Sequence, residues 1–413
     1  MEKSLLNKVG RIETLDSVRG IAAFIVVIHH CFITRAVYSD YFFSHWKTPA
    51  TGAVSSIFLH TPARLVWGGY EAVTLFYVLS GLVLALPWVE GRPPAYKAFA
   101  IRRFCRLYIP YVVAIAAAGL LNMAFLQHAN VSGTSDWVNG MTWTHPVTFG
   151  VMFDHLALIG HHATINGVTH TLIWEIRVSM LFPLLIMPIH RWHMRGALLV
   201  LACLLTIVVS MQLLFGNLST LGDLLVLNHG AGLARRLAFE VQWTAYYAYL
   251  FVVGSVLATH LGQIRMFLTR AGSWWSLALM VSGLLVFQGH WSQWHAVQEF
   301  MVAVGSVMIL CAALAPGGIE TVLLKRAPRY LGKISFSLYL VHLPVVLALT
   351  ILTHGTLPLP LLIAIVVPVS LALAIVFERL VTSPSASLGH RLAHAKRELA
   401  PPVPQPILEE GRV

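Results

Sequence analysis

Long apolar runs alternate with short, mostly basic connections along nearly the whole chain. Each run approaches the roughly 20 apolar residues that carry an α-helix through a hydrocarbon core of about 30 Å. Ten spans are expected, near residues 20–37, 70–88, 108–126, 168–189, 196–215, 242–260, 273–289, 297–315, 334–353 and 360–380. The pattern predicts an all-α, polytopic membrane protein with one integral-membrane domain over residues 12–385. A tail rich in Pro, Ala and charge follows over 386–413. It cannot bury a core and is expected to be disordered.

Composition agrees with this pattern. The chain is 57% hydrophobic and 11% charged, whereas a soluble domain carries roughly 25% charged residues. Its net charge of +11 would suggest nucleic acid in a soluble protein. Here the basic residues are divided among short loops on one side, such as Arg92 to Arg106, Arg191 and Arg195, and Lys325 to Lys333. That asymmetry puts both termini in the cytoplasm and argues against a nucleic-acid partner. The polar start, MEKSLLNKVGRIETLD, has no apolar h-region, so no cleaved signal is expected. Cys31, Cys105, Cys203 and Cys311 lack ligand or disulfide spacing and read as small core residues. The longest outer connection, near 127–167, carries Trp137, Trp143, His145, His155, His161 and His162. It is either an acceptor-binding or lid segment, or a connector packed on the outer surface.

Four polar features interrupt the apolar runs. In RGIAAFIVVIHH, Arg19 and His30 are eleven residues apart. That spacing is about 20° past three turns, so they share a helix face, roughly 16 Å apart along the axis. Intramembrane ionisable groups are functional candidates. An imidazole can serve as general base toward a hydroxyl; a packing histidine with a snorkelling arginine is the alternative. His29 is rotated about 100° away and should face a neighbouring helix. In AFAIRRFCRLYIP, Arg103 and Arg106 share a face and suit phosphate recognition, or serve as inner-side anchors.

THTLIWEIRVSMLFPLL places Glu175 and Arg177 inside the fourth span. Counting from the outer boundary puts Glu175 about 10 Å deep, near the expected depth of His30, so the two could meet in one cavity. Alternatively, Arg177 pairs with a carboxylate elsewhere in the bundle. In YLGKISFSLYLVHLPVV, Ser335, Ser337, Tyr339 and His342 enter the ninth span. The serines read as packing glue or as substrate contacts, and His342 shares the depth of His30.

These runs together resemble acyltransferase family 3, the integral-membrane O-acyltransferases that modify surface glycans. LDSVRGIAAFIVVIHH resembles the family's Arg-ten residues-His signature at Arg19 and His30. AVTLFYVLSGLVL, with Ser80 and Gly81, resembles the second-helix motif, and IRRFCRLYIP the arginine motif at Arg103 and Arg106. LIWEIRVSMLFPLL supplies the glutamate at Glu175, and ISFSLYLVHLPVV the late Ser-Tyr-His stretch at Ser337, Tyr339 and His342. The chain departs from the pattern at Thr74, His170 and Thr382, where aspartate, tryptophan and glutamate are common.

The resemblance implies an inner-membrane enzyme that moves an acyl group, foremost acetyl from acetyl-coenzyme A, to a glycan hydroxyl, free or on a lipid-linked carrier. His30 would be general base or transient acyl carrier, with Arg19 and Glu175 in catalytic roles. Arg103, Arg106, Ser337, Tyr339 and His342 would bind substrates. Acyl-coenzyme A would be a co-substrate, with no resident cofactor or metal. No HxxxH or HExxH pair lies on one span, which weighs against a metal-dependent enzyme. A transporter or flippase of a lipid-linked saccharide is the rival reading, and it would need no coenzyme A site.

Overall fold

A computed structural model describes residues 13–44, 49–126, 131–141, 143, 146–159, 165–215, 233–292 and 295–394. Lys47, His145, His161, His162 and the tail from 395 lie outside the described residues. Among the described residues every regular element is helical. They are α1 (Glu13–Phe32), α2 (Ala36–Phe43), α3 (Ala53–His60), a 3₁₀ turn (Pro62–Trp67), α4 (Gly69–Val89), α5 (Tyr96–Phe125), α6 (Asp136–Met141) and α7 (Phe149–Leu156). Then follow α8 (Thr169–Phe215), α9 (Leu233–Ala271), α10 (Ser273–Gln288), α11 (His295–Leu314), α12 (Gly318–Leu323), α13 (Arg326–Leu352), α14 (Leu359–Phe377), a π turn (Glu378–Thr382) and α15 (Ser383–His394).

Eight of these helices are long and apolar enough to cross a membrane. Two features bear on the expected count. α8 has 47 residues, and a straight helix of that length would run about 70 Å, twice a hydrocarbon core. It does not run straight. His193 has φ 49° and ψ −125°, and a Cβ on Gly196 would lie 1.9 Å from the Pro188 carbonyl oxygen. The chain therefore folds back on itself there, giving two arms. α10 is apolar but has only 16 residues.

Helices lacking water in lipid must satisfy their backbones internally and associate by close packing. α1 lies on α13, α4 on α9, and α8 on α9. At the first crossing Gly20 meets Gly332 so closely that a Cβ on Gly20 would sit 2.3 Å from the Gly332 nitrogen. Polar contacts mark the two ends of the bundle. At one end Arg329 Nη2 pairs with Glu13 at 2.6 Å, and Ser17 Oγ donates to the Leu323 carbonyl. At the other, Arg35 donates to the Gly355 and Leu357 carbonyls, and Arg64 is held by Glu71 and by the Gln288 carbonyl.

Two expectations are revised. Residues 386–394, assigned to the tail, belong to α15, which packs on α5. Gly389 makes this contact possible, since a Cβ there would lie 2.9 Å from Cβ of Cys105 and 3.2 Å from Cα of Arg102. Cys31, Cys105 and Cys311 are buried, but Cys203 is exposed on the second arm of α8.

α8 also begins deeper than a boundary-to-boundary helix would. Just before it, Asn166 Nδ2 donates to the Leu340 carbonyl at 3.0 Å. Leu340 lies about 21 Å along α13 from Arg326, near that helix's middle. Its carbonyl lacks the usual i+4 donor because position 344 is Pro, which has no N–H. Irregular backbone reaches membrane depth here because protein groups satisfy it.

Candidate active site

The site has two polar layers. The outer layer is built on imidazoles from α1 and α13. His29 is buried; its Nδ1–H donates to the Trp67 carbonyl at 2.9 Å and its ring stacks on Trp67. It faces the 3₁₀ turn and α4, as its rotation from His30 implies. His30 turns the other way. Its Nδ1 is 2.9 Å from the Val26 carbonyl and 3.2 Å from Nε2 of His342. His342 is fully buried, with Nδ1 3.0 Å from the Leu338 carbonyl.

Those two carbonyls assign the protons. A carbonyl only accepts, so Nδ1 of each ring carries hydrogen. Nε2 of neutral His342 is then an acceptor for His30, and Nε2 of His30 keeps its lone pair. Trp137 lies against His30 with ring centroids 5.7 Å apart. It is held by Ser135, whose Oγ donates to the Ile33 carbonyl at 2.6 Å and whose N–H donates to the Thr34 carbonyl. The segment that carries Trp137 thus docks on the end of α1 beside His30. Tyr339, 5.9 Å from His342 by ring centroids, meets Thr171 Oγ1 and the Val168 carbonyl.

The inner layer is ionic. Glu175 accepts from Ser80 Oγ at 3.0 Å and lies 3.5 Å from Arg103 Nη2, which also reaches Ser179 Oγ at 3.2 Å. Three separate sequence runs therefore converge here, from α4, α5 and α8. Arg19 pairs with Asp16 at 3.2 Å. Arg19 and Arg106 both lie within Coulombic reach of Arg103. Glu175, Ser80, Arg103, Arg19 and His30 all keep partial exposure, unlike the sealed residues around them.

Several expected contacts differ. Glu175 does not meet His30. Thr171, one turn nearer the start of α8, already contacts Tyr339, so Glu175 lies a further turn in, toward Arg103. The reason is the mid-depth start of α8, which shifts every residue of that span inward. Arg103 and Arg106 do not share an environment: Arg103 is mostly enclosed with Glu175, and Arg106 is exposed. Ser337 makes its hydrogen bonds away from His30, His342 and Glu175. It is fully buried, and its hydroxyl is taken by Glu378 at 2.7 Å and Thr382 at 2.9 Å. Arg177 pairs with Glu240 of α9 and the Leu158 carbonyl, a structural contact away from both layers.

A comparison with protein families matches residues 12–379 to the family described as "Acyltransferase domain". The chain belongs to acyltransferase family 3. It is an acyltransferase, and its apolar helices place it in a membrane. Both polar layers of the acyltransferase fall inside the matched region, while α15 lies beyond it. No curated protein and no solved structure matches the chain. Sequence reasoning on this acyltransferase left Asp16, Asn166 and Ser179 without a role. Asn166 had a readable signal, since a polar side chain precedes an apolar span whose partner helix contains Pro344.

Proposed function

We propose that the protein transfers an acetyl group from acetyl-coenzyme A to a hydroxyl of a cell-envelope or exported glycan. It does so from the inner (cytoplasmic) membrane, crossing it ten times with both termini in the cytoplasm. The apolar α10 and the two arms of α8, counted as spans, support ten rather than eight. The observation that carries the reading is His30 itself, partly exposed beside a cationic layer, with Nδ1 2.9 Å from the Val26 carbonyl so that Nε2 is left to accept a proton.

The donor enters from the basic face. Its phosphates meet Arg106, with Arg19 and Arg103 behind it, and guanidinium forks suit that charge. Glu175 and Ser80 fix Arg103. The pantetheine arm leads the thioester toward His30, and the glycan hydroxyl arrives from the outer side beneath Trp137. His30 Nε2 takes the hydroxyl proton as the oxygen attacks the thioester carbonyl. The tetrahedral oxyanion collapses, the C–S bond breaks, and the proton passes from His30 to the departing thiolate. The products are an O-acetyl ester and coenzyme A.

Purified protein in lipid nanodiscs, given labelled acetyl-coenzyme A and candidate envelope glycans, should add one acetyl mass to a hydroxyl. His30→Ala should abolish transfer in a protein that still inserts and folds. Arg103→Ala with Arg106→Ala should weaken coenzyme A binding in calorimetry. A wild-type protein that binds no coenzyme A would favour the transport reading and end this one.

A further inference from the structure

Resting on the acyl-transfer reading above, we propose that His342 is the positioning residue for His30. It acts through its Nε2 lone pair on the Nδ1–H of His30. It is a neutral imidazole in the place where a carboxylate often orients a catalytic histidine.

The geometry leaves little freedom. α1 and α13 are clamped at Gly20 and Gly332, which sets the spacing of the two histidines higher up. His342 is fully buried, and its Nδ1–H is committed to the Leu338 carbonyl. Its tautomer is therefore locked with Nε2 bare, 3.2 Å from His30 Nδ1. The Val26 carbonyl, at 2.9 Å, shares the same N–H. Together they hold the His30 ring in one orientation and leave Nε2 as its proton-accepting atom.

When His30 takes a proton it becomes an imidazolium, and the charge is spread to both N–H groups. Among the described residues the imidazole lone pair facing Nδ1 is that of His342, so the cation gains a stronger hydrogen bond than the neutral ring had. The other titratable ring beside His30 is His29, edge-on at 5.3 Å, with its own Nδ1–H spent on Trp67. Tyr339, next to His342, is bound to Thr171 and Val168. Trp137 closes the remaining side without a titrating group. A proton arriving at His30 Nε2 thus strengthens the Nδ1–H contacts to His342 and to the Val26 carbonyl.

Two substitutions separate positioning from packing. His342→Leu keeps apolar bulk and removes the acceptor. His342→Gln restores an acceptor oxygen near the former Nε2. For His342→Leu the expected result is a fall in kcat on the order of 10²-fold, with KM for donor and acceptor within about threefold. The acid limb of its kcat/KM profile should move to lower pH, because the imidazolium has lost its partner. His342→Gln should regain at least about tenfold of the lost rate. Unchanged kcat in His342→Leu, a loss confined to KM, or a Gln variant no better than Leu would each overturn the proposal.

A second measurement does not depend on turnover. Diethyl pyrocarbonate attacks unprotonated ring nitrogen, and tandem mass spectrometry separates His30 from His29. His30 should be carbethoxylated in the wild type, several-fold more slowly in His342→Leu, and near the wild-type rate in His342→Gln. If the wild type transfers no acetyl but this pattern holds, the function reading fails and the positioning stands. If transfer proceeds while His30 reacts equally in wild type and His342→Leu, or is unreactive in the wild type, the positioning fails and the function stands.

Discussion

Adding one methyl group at Gly20 should disable transfer from 10 residues away along the same helix. The Cβ of Gly20→Ala would lie 2.3 Å from the Gly332 nitrogen and 2.5 Å from the Leu331 carbonyl carbon. These are backbone atoms, so no side chain can swing aside. Ordinary contact begins near 3.4 Å, and α1 and α13 must therefore part by about 1 Å. Carried up the helices, that shift takes the His30–His342 contact from 3.2 Å to beyond 4 Å, outside hydrogen-bond range. Overpacking of this kind costs about 1–3 kcal/mol. A misplacement of about 1 Å at a reacting group can cost on the order of 10²-fold in rate. The sign is diagnostic, because Gly to Ala inside a helix otherwise gains up to about 1 kcal/mol. The assay is acetyl transfer in nanodiscs beside thermal unfolding, with Gly262→Ala as control, where a Cβ meets nothing within 4 Å. Gly20→Ala with wild-type rate and melting temperature would refute the claim that this crossing sets the spacing of the histidines.

Three further outcomes follow from the same contacts. Glu71→Gln removes the carboxylate from a buried pair with Arg64, whose side chains are 2% and 6% exposed; unfolding should cost about 3–5 kcal/mol less, read as a lower melting temperature, with recovery in Arg64→Met/Glu71→Leu. Asn166→Leu strands the Leu340 carbonyl, which Pro344 already deprives of its helical donor; a loss of about 1–3 kcal/mol is expected, with faster proteolysis of the segment before α8. Ser337→Ala should lower stability by about 1–3 kcal/mol through Glu378, yet leave KM for acyl-coenzyme A unchanged in steady-state assays.

The sequence showed what depends on rotation about a single helix. Residue spacing separated His30 from His29, and the structure turns them to opposite neighbours. It also named Arg177 as a partner for some carboxylate, which is Glu240. Depth was not legible in the same way. Glu175 was placed by counting from a membrane boundary, but α8 starts at the level of Leu340, inside the bundle. Whether a span begins at the boundary depends on loop packing, which residue periodicity does not encode. The partners of Ser337 were not legible for a related reason. They are Glu378 and Thr382, 41 and 45 residues away, at the two ends of a π turn with no sequence signal.

The mid-depth start of α8 gives the two polar layers their separate roles. A helix running boundary to boundary would put Glu175 beside His30, where a carboxylate would stabilise the imidazolium permanently and blunt it as a base. With α8 starting near Leu340, Glu175 instead pairs with Arg103 and leaves His30 with His342 as its ring partner. A neutral partner in a low-dielectric site favours the unprotonated ring more than a carboxylate would. The same mid-depth start leaves room beside His30 for the segment that carries Trp137. Irregular backbone is tolerated at that depth only beside protein or water. On the proposed reaction, a hydroxyl acceptor then reaches His30 along this polar backbone, and the thioester meets it from the arginine side.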